Sequence, residues 1–150
     1  MRAVIQRVTR ADVKIDGKIA GEISAGLLVL LGVAEGDTRG DGEWLAAKTA
    51  RLRIFADEAG AMNRSVQDIG GGVLVISQFT LIASTRKGTR PSFNDAAKPD
   101  VARPLYESFL AQMEAALGRE VARGEFGASM QVSLLNDGPV TLIIDSRARE

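Results

Sequence analysis

The run GLLVLLGV, from Gly26 to Val33, places apolar side chains on both parities of an extended chain. Successive side chains of a strand point to opposite faces, so a strand of this pattern has to be covered on both sides. It is far too short to cross a bilayer as a helix, which takes roughly 20 residues. A second run, VLVISQFTLIA from Val73 to Ala83, reads as another buried strand, interrupted by Ser77, Gln78 and Thr80.

The remaining patterns supply the cover. ADVKIDGKIAGEI alternates Val13 and Ile15 with polar neighbours and turns at Asp16-Gly17, the signature of a half-exposed hairpin. A first helix is expected over about 39 to 52, with Thr38 and Asp41 as a capping box and Leu45, Thr49 and Leu52 on one face beside Trp44. RIF begins a short strand, and ADEAGAMNRSVQDIGGG is a long loop or short hairpin. A second helix is expected from about Val101 to Leu117, with Asp100 as N-cap, the stripe Leu105, Phe109, Met113, Leu117, and Gly118 as the stop. Two closing strands, about Ala128 to Leu135 and Val140 to Asp145, would be joined by a hairpin turn at Asn136-Asp137-Gly138, with Pro139 opening the return strand. The tail from Ser146 to Glu150 is expected to be frayed. The expectation is one α+β domain, a curved or barrel-like, mostly antiparallel sheet with two main helices packed on it.

At 150 residues the chain can bury roughly two thirds of its unfolded surface in a single core. The formal net charge is zero, which excludes a uniformly basic nucleic-acid coat and leaves room for a local patch. There is no Cys and no His. That removes disulfides, thiol nucleophiles, the Ser-His-Asp relay and the common zinc sites, and no Asp/Glu spacing resembles a calcium loop. No metal and no cofactor are expected. MRAVIQRVTR is too charged for a signal peptide, so a cytoplasmic protein without a membrane segment is expected.

Three stretches have the residue types for chemistry. The polar groups of ISQFTL, set in a buried strand, either pair with neighbouring backbone or point at a ligand. RKGTRPSF, with Arg86, Lys87 and Arg90, reads as a solvated turn or as a phosphate contact. GEFGASM holds Phe126 and Met130 four residues apart, for core packing or as an apolar shelf for a nucleobase.

Taken together, MRAVIQRVTRA, MNRSV, SQFTL, KGTRPSF and FGASMQVSLLNDGPVT resemble the D-aminoacyl-tRNA deacylases over essentially the whole chain. The pair SQFT and NDGPVT is the most specific part of this likeness. Ile82 and Ser84 depart from it, lying where many relatives carry an aromatic and an acidic or cysteine residue. The resemblance implies a homodimer whose active site lies at the subunit interface, receiving the 3′ end of aminoacyl-tRNA. It implies a cis Gly138-Pro139 peptide that reaches the partner's site, where its carbonyls capture the substrate ammonium and leave no room for an L side chain. A glycyl ester would fit as well. It further implies that backbone N–H groups near Gln78 and Phe79 hold the oxyanion, with Ser77 and Thr80 as positioning groups. The 2′-OH of the terminal adenosine would assist, Phe126 and Met130 would hold the adenine, and Arg7 would brace the Gly-Pro loop. The expected function is chiral proofreading in translation by ester hydrolysis. The alternative is a non-catalytic RNA-binding dimer.

Overall fold

The computed structural model describes residues 1–149. Strand β1 (Arg2–Ile15) buries Ala3 and Ile5, then Val8, then Ala11 and Val13. Its inward parity changes twice, and both changes fall where its pairing with the last strand is irregular, between Gln6 and Val8 and between Val8 and Arg10. An unmatched residue turns the side chains that follow to the other face and bends the strand. One strand therefore serves two cores: Ala3 and Ile5 join the larger, Val8, Ala11 and Val13 the smaller.

From β1 the chain turns through Asp16 and Gly17, both at positive φ (49° and 76°), into β2 (Lys18–Ile23). This is the conformation that a two-residue Asp-Gly hairpin requires. β3 (Gly26–Gly32) pairs antiparallel with the first half of β1, whereas β2 pairs with the second half. Helix α1 (Arg39–Arg51) follows, then the small hairpin of β4 (Phe55–Ala56) and β5 (Met62–Arg64). β6 (Gly72–Ser77) lies parallel to β3, and beyond helix α2 (Pro99–Leu117) the short β7 (Ala122–Arg123) lies parallel to β6. β8 (Gln131–Asp145) runs antiparallel along the other edge of β1.

The sheet curls until β2 approaches β7. A Cβ on Gly21 would stand 2.7 Å from the Arg123 carbonyl oxygen, so only glycine lets the barrel come this close to shutting. Inside lie Val8, Ala11, Val13, Leu28, Leu74 and Ile76. On the outer face Leu27, Val29, Leu31, Val73 and Val75 meet Leu45 of α1 and Tyr106, Phe109, Met113 and Leu117 of α2. β3 and β6 are thus buried on both faces, as their apolar runs require. Full burial of each large side chain contributes about 1.5 to 3 kcal/mol.

Several expectations are corrected. The strand predicted over Val73 to Ala83 ends at Ser77, because its neighbour β3 ends at Gly32 and leaves nothing to pair with. Gln78 donates a last main-chain bond to Leu31 O (2.7 Å), and Phe79–Ile82 then forms a 3-10 turn. The hairpin at Asn136-Asp137-Gly138 does not exist. Both predicted closing strands pair with β1, from Lys14↔Gln131 to Arg2↔Asp145, and form one strand, β8. Helix α2 begins at Pro99 after Lys98, so Asp100 lies in its first turn instead of capping it. The tail expected to be frayed is anchored as far as Arg149: Ser146 N donates to Met1 O (2.8 Å) and Arg147 pairs with Asp37 (3.0 Å). Glu150 lies outside the described residues.

Candidate active site

Where β6 leaves the sheet, the backbone of Gln78 (φ −142°, ψ 78°) folds the chain back over the end of β3. Gly32 makes room: a Cβ there would lie 3.0 Å from Gln78 O and 3.1 Å from Leu81 Cβ. The 3-10 turn is closed by Leu81 N–H to Gln78 O (3.2 Å) and Ala83 N–H to Thr80 O (3.1 Å). The first N–H groups of such a turn have no acceptor within it. Gln78 N–H is already committed to Leu31, so the two free donors are those of Phe79 and Thr80, for which no acceptor exists among the described residues. Of the two N–H groups expected to be available near Gln78 and Phe79, that of Gln78 is thus taken up within the sheet.

The side chains around these donors are exposed and poorly suited to proton transfer. Thr80 Oγ1 accepts a bond from Gln78 Nε2 (2.5 Å), and an amide cannot take the hydroxyl proton. The Phe79 ring, 55 % exposed, meets Phe93 edge-on with centroids 5.1 Å apart. Phe93 ends the KGTRPSF stretch, whose base is closed by reciprocal main-chain bonds between Ser84 and Ser92 (2.8 and 2.9 Å). Arg86, Lys87 and Arg90 are exposed in that loop.

Phe126 and Met130 lie beside the end of β6, because Gly124 N–H donates to Val75 O (3.2 Å). Both are half-buried. Met130 packs on the inner cluster that contains Ile76, and Phe126 leans on Tyr106 (5.9 Å) with Arg103 over its ring (5.0 Å). Tyr106 hydroxyl donates to Val75 O (3.2 Å), and burial pushes its pKa up to about 12 against the pull of Arg123. It stays neutral and ties α2 to β6.

The Gly-Pro motif is held elsewhere. Between the pairs Gln6↔Thr141 and Val8↔Asn136, only Arg7 on β1 stands against Asp137, Gly138, Pro139 and Val140 on β8. Asp137, Gly138 and Pro139 bulge outward and are exposed, Gly138 and Pro139 being joined by a cis peptide bond, while Val140 turns back into the interior. Asn136 Nδ2 pins both ends of the bulge, donating to Arg7 O (2.9 Å) and Val140 O (3.1 Å). Arg7 Nε donates to Asp137 O (3.1 Å) and lies 3.0 Å from Asp137 Oδ2, while Nη1 donates to Ile54 O (2.5 Å). A Cβ on Gly138 would collide with Asn136 Oδ1.

One chain therefore places Phe126 and Met130 beside the last residues of β6, which leads into Ser77 to Thr80, and holds Gly138 and Pro139 elsewhere. Gln78 sits at the level of Ala3 on β1, through Leu31, and the bulge sits at Arg7 on the opposite edge. The four intervening steps amount to about 13 Å along the strand alone. Sequence reasoning missed Gly32 and Ile54, which have no motif, and read Asn136 as a turn residue. The alternation of polar and apolar residues broken at Arg7 was the one signal of a bulge. Among the described residues no three acidic side chains are grouped to hold a metal ion.

Residues 4–145 match the family described as D-Tyr-tRNA(Tyr) deacylase. The chain is 67 % identical to a D-aminoacyl-tRNA deacylase of Opitutus terrae, and 57 % identical to one of Dechloromonas aromatica, over the whole of each chain. A solved structure of the c-Myc DNA Unwinding Element Binding Protein superposes with a TM-score of 0.90 at 40 % identity, covering 97 % of this chain and 98 % of that one. Full-length identity at this level, with a family match over residues 4–145, leaves one assignment: this chain belongs to the D-Tyr-tRNA deacylase family.

Proposed function

We propose that the protein hydrolyses the ester of D-aminoacyl-tRNA, and of glycyl-tRNA, in a site completed by a second copy of the chain. The observation that carries this reading is the pair of uncommitted N–H groups at Phe79 and Thr80, exposed at a turn with no side-chain nucleophile activated beside them. The ester carbonyl oxygen sits on these donors. Water adds to the acyl carbon, assisted by the 2′-OH of the terminal adenosine, the bond to the ribose 3′-oxygen breaks, and that oxygen takes a proton. Aminoacyl esters are already activated, and one oxyanion donor elsewhere is worth roughly 3 to 4 kcal/mol. Backbone alone can therefore supply much of the rate.

The second copy is supported by β8. Among the described residues its only partner is β1, which leaves its other edge unpaired over fifteen residues, and it exposes Leu134 (38 %), Leu135 (53 %) and Ile143 (72 %). A long edge with apolar side chains calls for cover. A two-fold arrangement would also bring the partner's Gly138 and Pro139 to the turn that this chain's own bulge cannot reach. Their carbonyls would receive the substrate ammonium and close the space an L side chain needs, a selectivity built from backbone. Phe126 and Met130 would flank the adenine, and the chain would act on soluble aminoacyl-tRNA in the cytoplasm.

The DNA-binding name of the solved neighbour favours a second reading, a nucleic-acid-binding dimer without catalysis. One experiment separates them. Purified protein should release tyrosine from D-tyrosyl-tRNA and spare the L-form; bound but intact D-ester would establish the second reading.

A further inference from the structure

The last two turns of α1 present a basic face without acidic partners. Trp44, Lys48 and Arg51 follow one another at steps of four and three residues and share one side of the helix. With Ala47, Leu52 and Arg53 they line a shallow groove of about 530 Å³. Arg149 lays its guanidinium over Trp44, 4.6 Å from the ring centroid. No carboxylate lines the groove, and among the described residues none of these four cations forms an ion pair. The positions three and four residues from Lys48 and Arg51 hold only apolar residues and each other. In a chain of zero net charge this is a concentrated local excess.

Its place in the fold matters as much as its charge. Arg53 is followed by Ile54, whose carbonyl holds Arg7, and Arg7 holds Asp137 beside Gly138. The groove thus borders the bulge that carries the Gly-Pro motif. We propose that it is a docking surface for the phosphate backbone of the substrate tRNA, beyond the 3′-terminal nucleotide. This rests on the deacylase reading: with Gly138 and Pro139 at the aminoacyl group in the partner's site, the RNA leaving that site passes the adjoining face. Lys48 and Arg51 meet its phosphates, and Arg53, whose guanidinium donates to Asn63 O (3.0 Å) and Asn63 Oδ1 (2.7 Å), closes one end of the groove. Trp44, backed by Arg149, offers the flat surface on which an unpaired base stacks.

Trp44 is the only tryptophan in the chain, so its emission reports on this groove and nowhere else. Titration with uncharged tRNA should change Trp44 fluorescence in step with binding measured by anisotropy of labelled tRNA. Lys48 and Arg51 are exposed and make no side-chain hydrogen bond, so Lys48→Gln/Arg51→Gln should fold normally. That variant should weaken binding and make the log Kd against log salt dependence shallower by about 1.4 to 1.8, two phosphates at roughly 0.7 to 0.9 each. The charge-matched control Lys14→Gln/Lys18→Gln, on the β1–β2 hairpin, should keep the wild-type slope. An unchanged slope in the Lys48/Arg51 variant, or unchanged Trp44 emission at saturating tRNA, would overturn the proposal. Hydrolysis of D-tyrosyl-tRNA by the wild type is scored separately. Hydrolysis with an unaltered slope removes the groove and keeps the deacylase; groove-dependent binding without hydrolysis does the reverse.

Discussion

Arg7 grips Asp137 at two points, its Nε lying 3.1 Å from the main-chain oxygen and 3.0 Å from Oδ2, while Nη1 reaches Ile54 O at 2.5 Å. One planar guanidinium thus joins β1, the segment after α1 and the Gly-Pro bulge. A lysine offers a point charge on a flexible stem and cannot reproduce that fork. Arg7→Lys should cost about 0.5 to 1.5 kcal/mol of stability, the usual net contribution of a hydrogen bond, since its acceptors on Asp137 and Ile54 stay within reach of water, as measured by urea unfolding. A shift of about 1 Å at the bulge should lower deacylation by up to roughly a hundredfold. Wild-type kcat/KM in folded Arg7→Lys protein would show that the substrate does not read the bulge.

Phe79 occupies the first position of the 3-10 turn, where a proline is tolerated and where its missing N–H removes one free donor. Phe79→Pro should therefore fold and lose about 10²- to 10³-fold in kcat, the range for one oxyanion donor. Phe79→Leu, which keeps the N–H, should lose far less. Equal losses in the two variants would assign the effect to the ring and its contact with Phe93.

Gly138→Ala should be inactive, because its Cβ meets the Asn136 side chain that pins the bulge. Mixed with Phe79→Pro chains, it should regain activity. In a heterodimer one site then carries both defects and the other carries neither. Heterodimers that form and stay inactive would rule out a site shared between subunits.

Thr80→Ala should keep most of the hydrolysis, since among the described residues the only partner of the hydroxyl is the Gln78 amide. Dialysis against a chelator should leave the rate unchanged. An acyl group trapped on Thr80 in a quenched reaction would replace the backbone mechanism with a covalent one.

Asp41 predicts an acid limb of stability. Burial pushes its carboxyl up, but the Thr38 N–H and hydroxyl (both 2.8 Å), with Ser146 and the Met1 ammonium, bring it down to about 2 from 3.8. A folded pKa below the unfolded one contributes stability that is present above about pH 4 and is lost as the pH falls towards 2. The unfolding free energy of the wild type should decline through that window more than that of Asp41→Asn. Parallel curves for the two proteins would show that the capping carboxylate does not contribute.

What the sequence determined by itself was whatever depends on near neighbours. The two-sided burial of β3 and β6, the Asp16-Gly17 turn, the Thr38–Asp41 cap and the core stripe of α2 follow from side-chain period and local hydrogen bonding, which act within a few residues. The absence of His and Cys likewise narrowed the chemistry before any coordinate was known. Tertiary structure decided the rest, because pairing partners are chosen across long separations. Asn136-Asp137-Gly138-Pro139 has the composition of a hairpin turn, yet both flanking strands found β1; Asn136 paired with Val8, and Asp137, Gly138 and Pro139 became an outward bulge opposite Arg7. The run through Ser77 to Ala83 has a strand's composition, yet β3 ended at Gly32 and the unpaired chain coiled into the turn that frees two N–H groups. In both places the local preference was met by a partner, or by the lack of one, that only the folded sheet could supply, and both places belong to the candidate site.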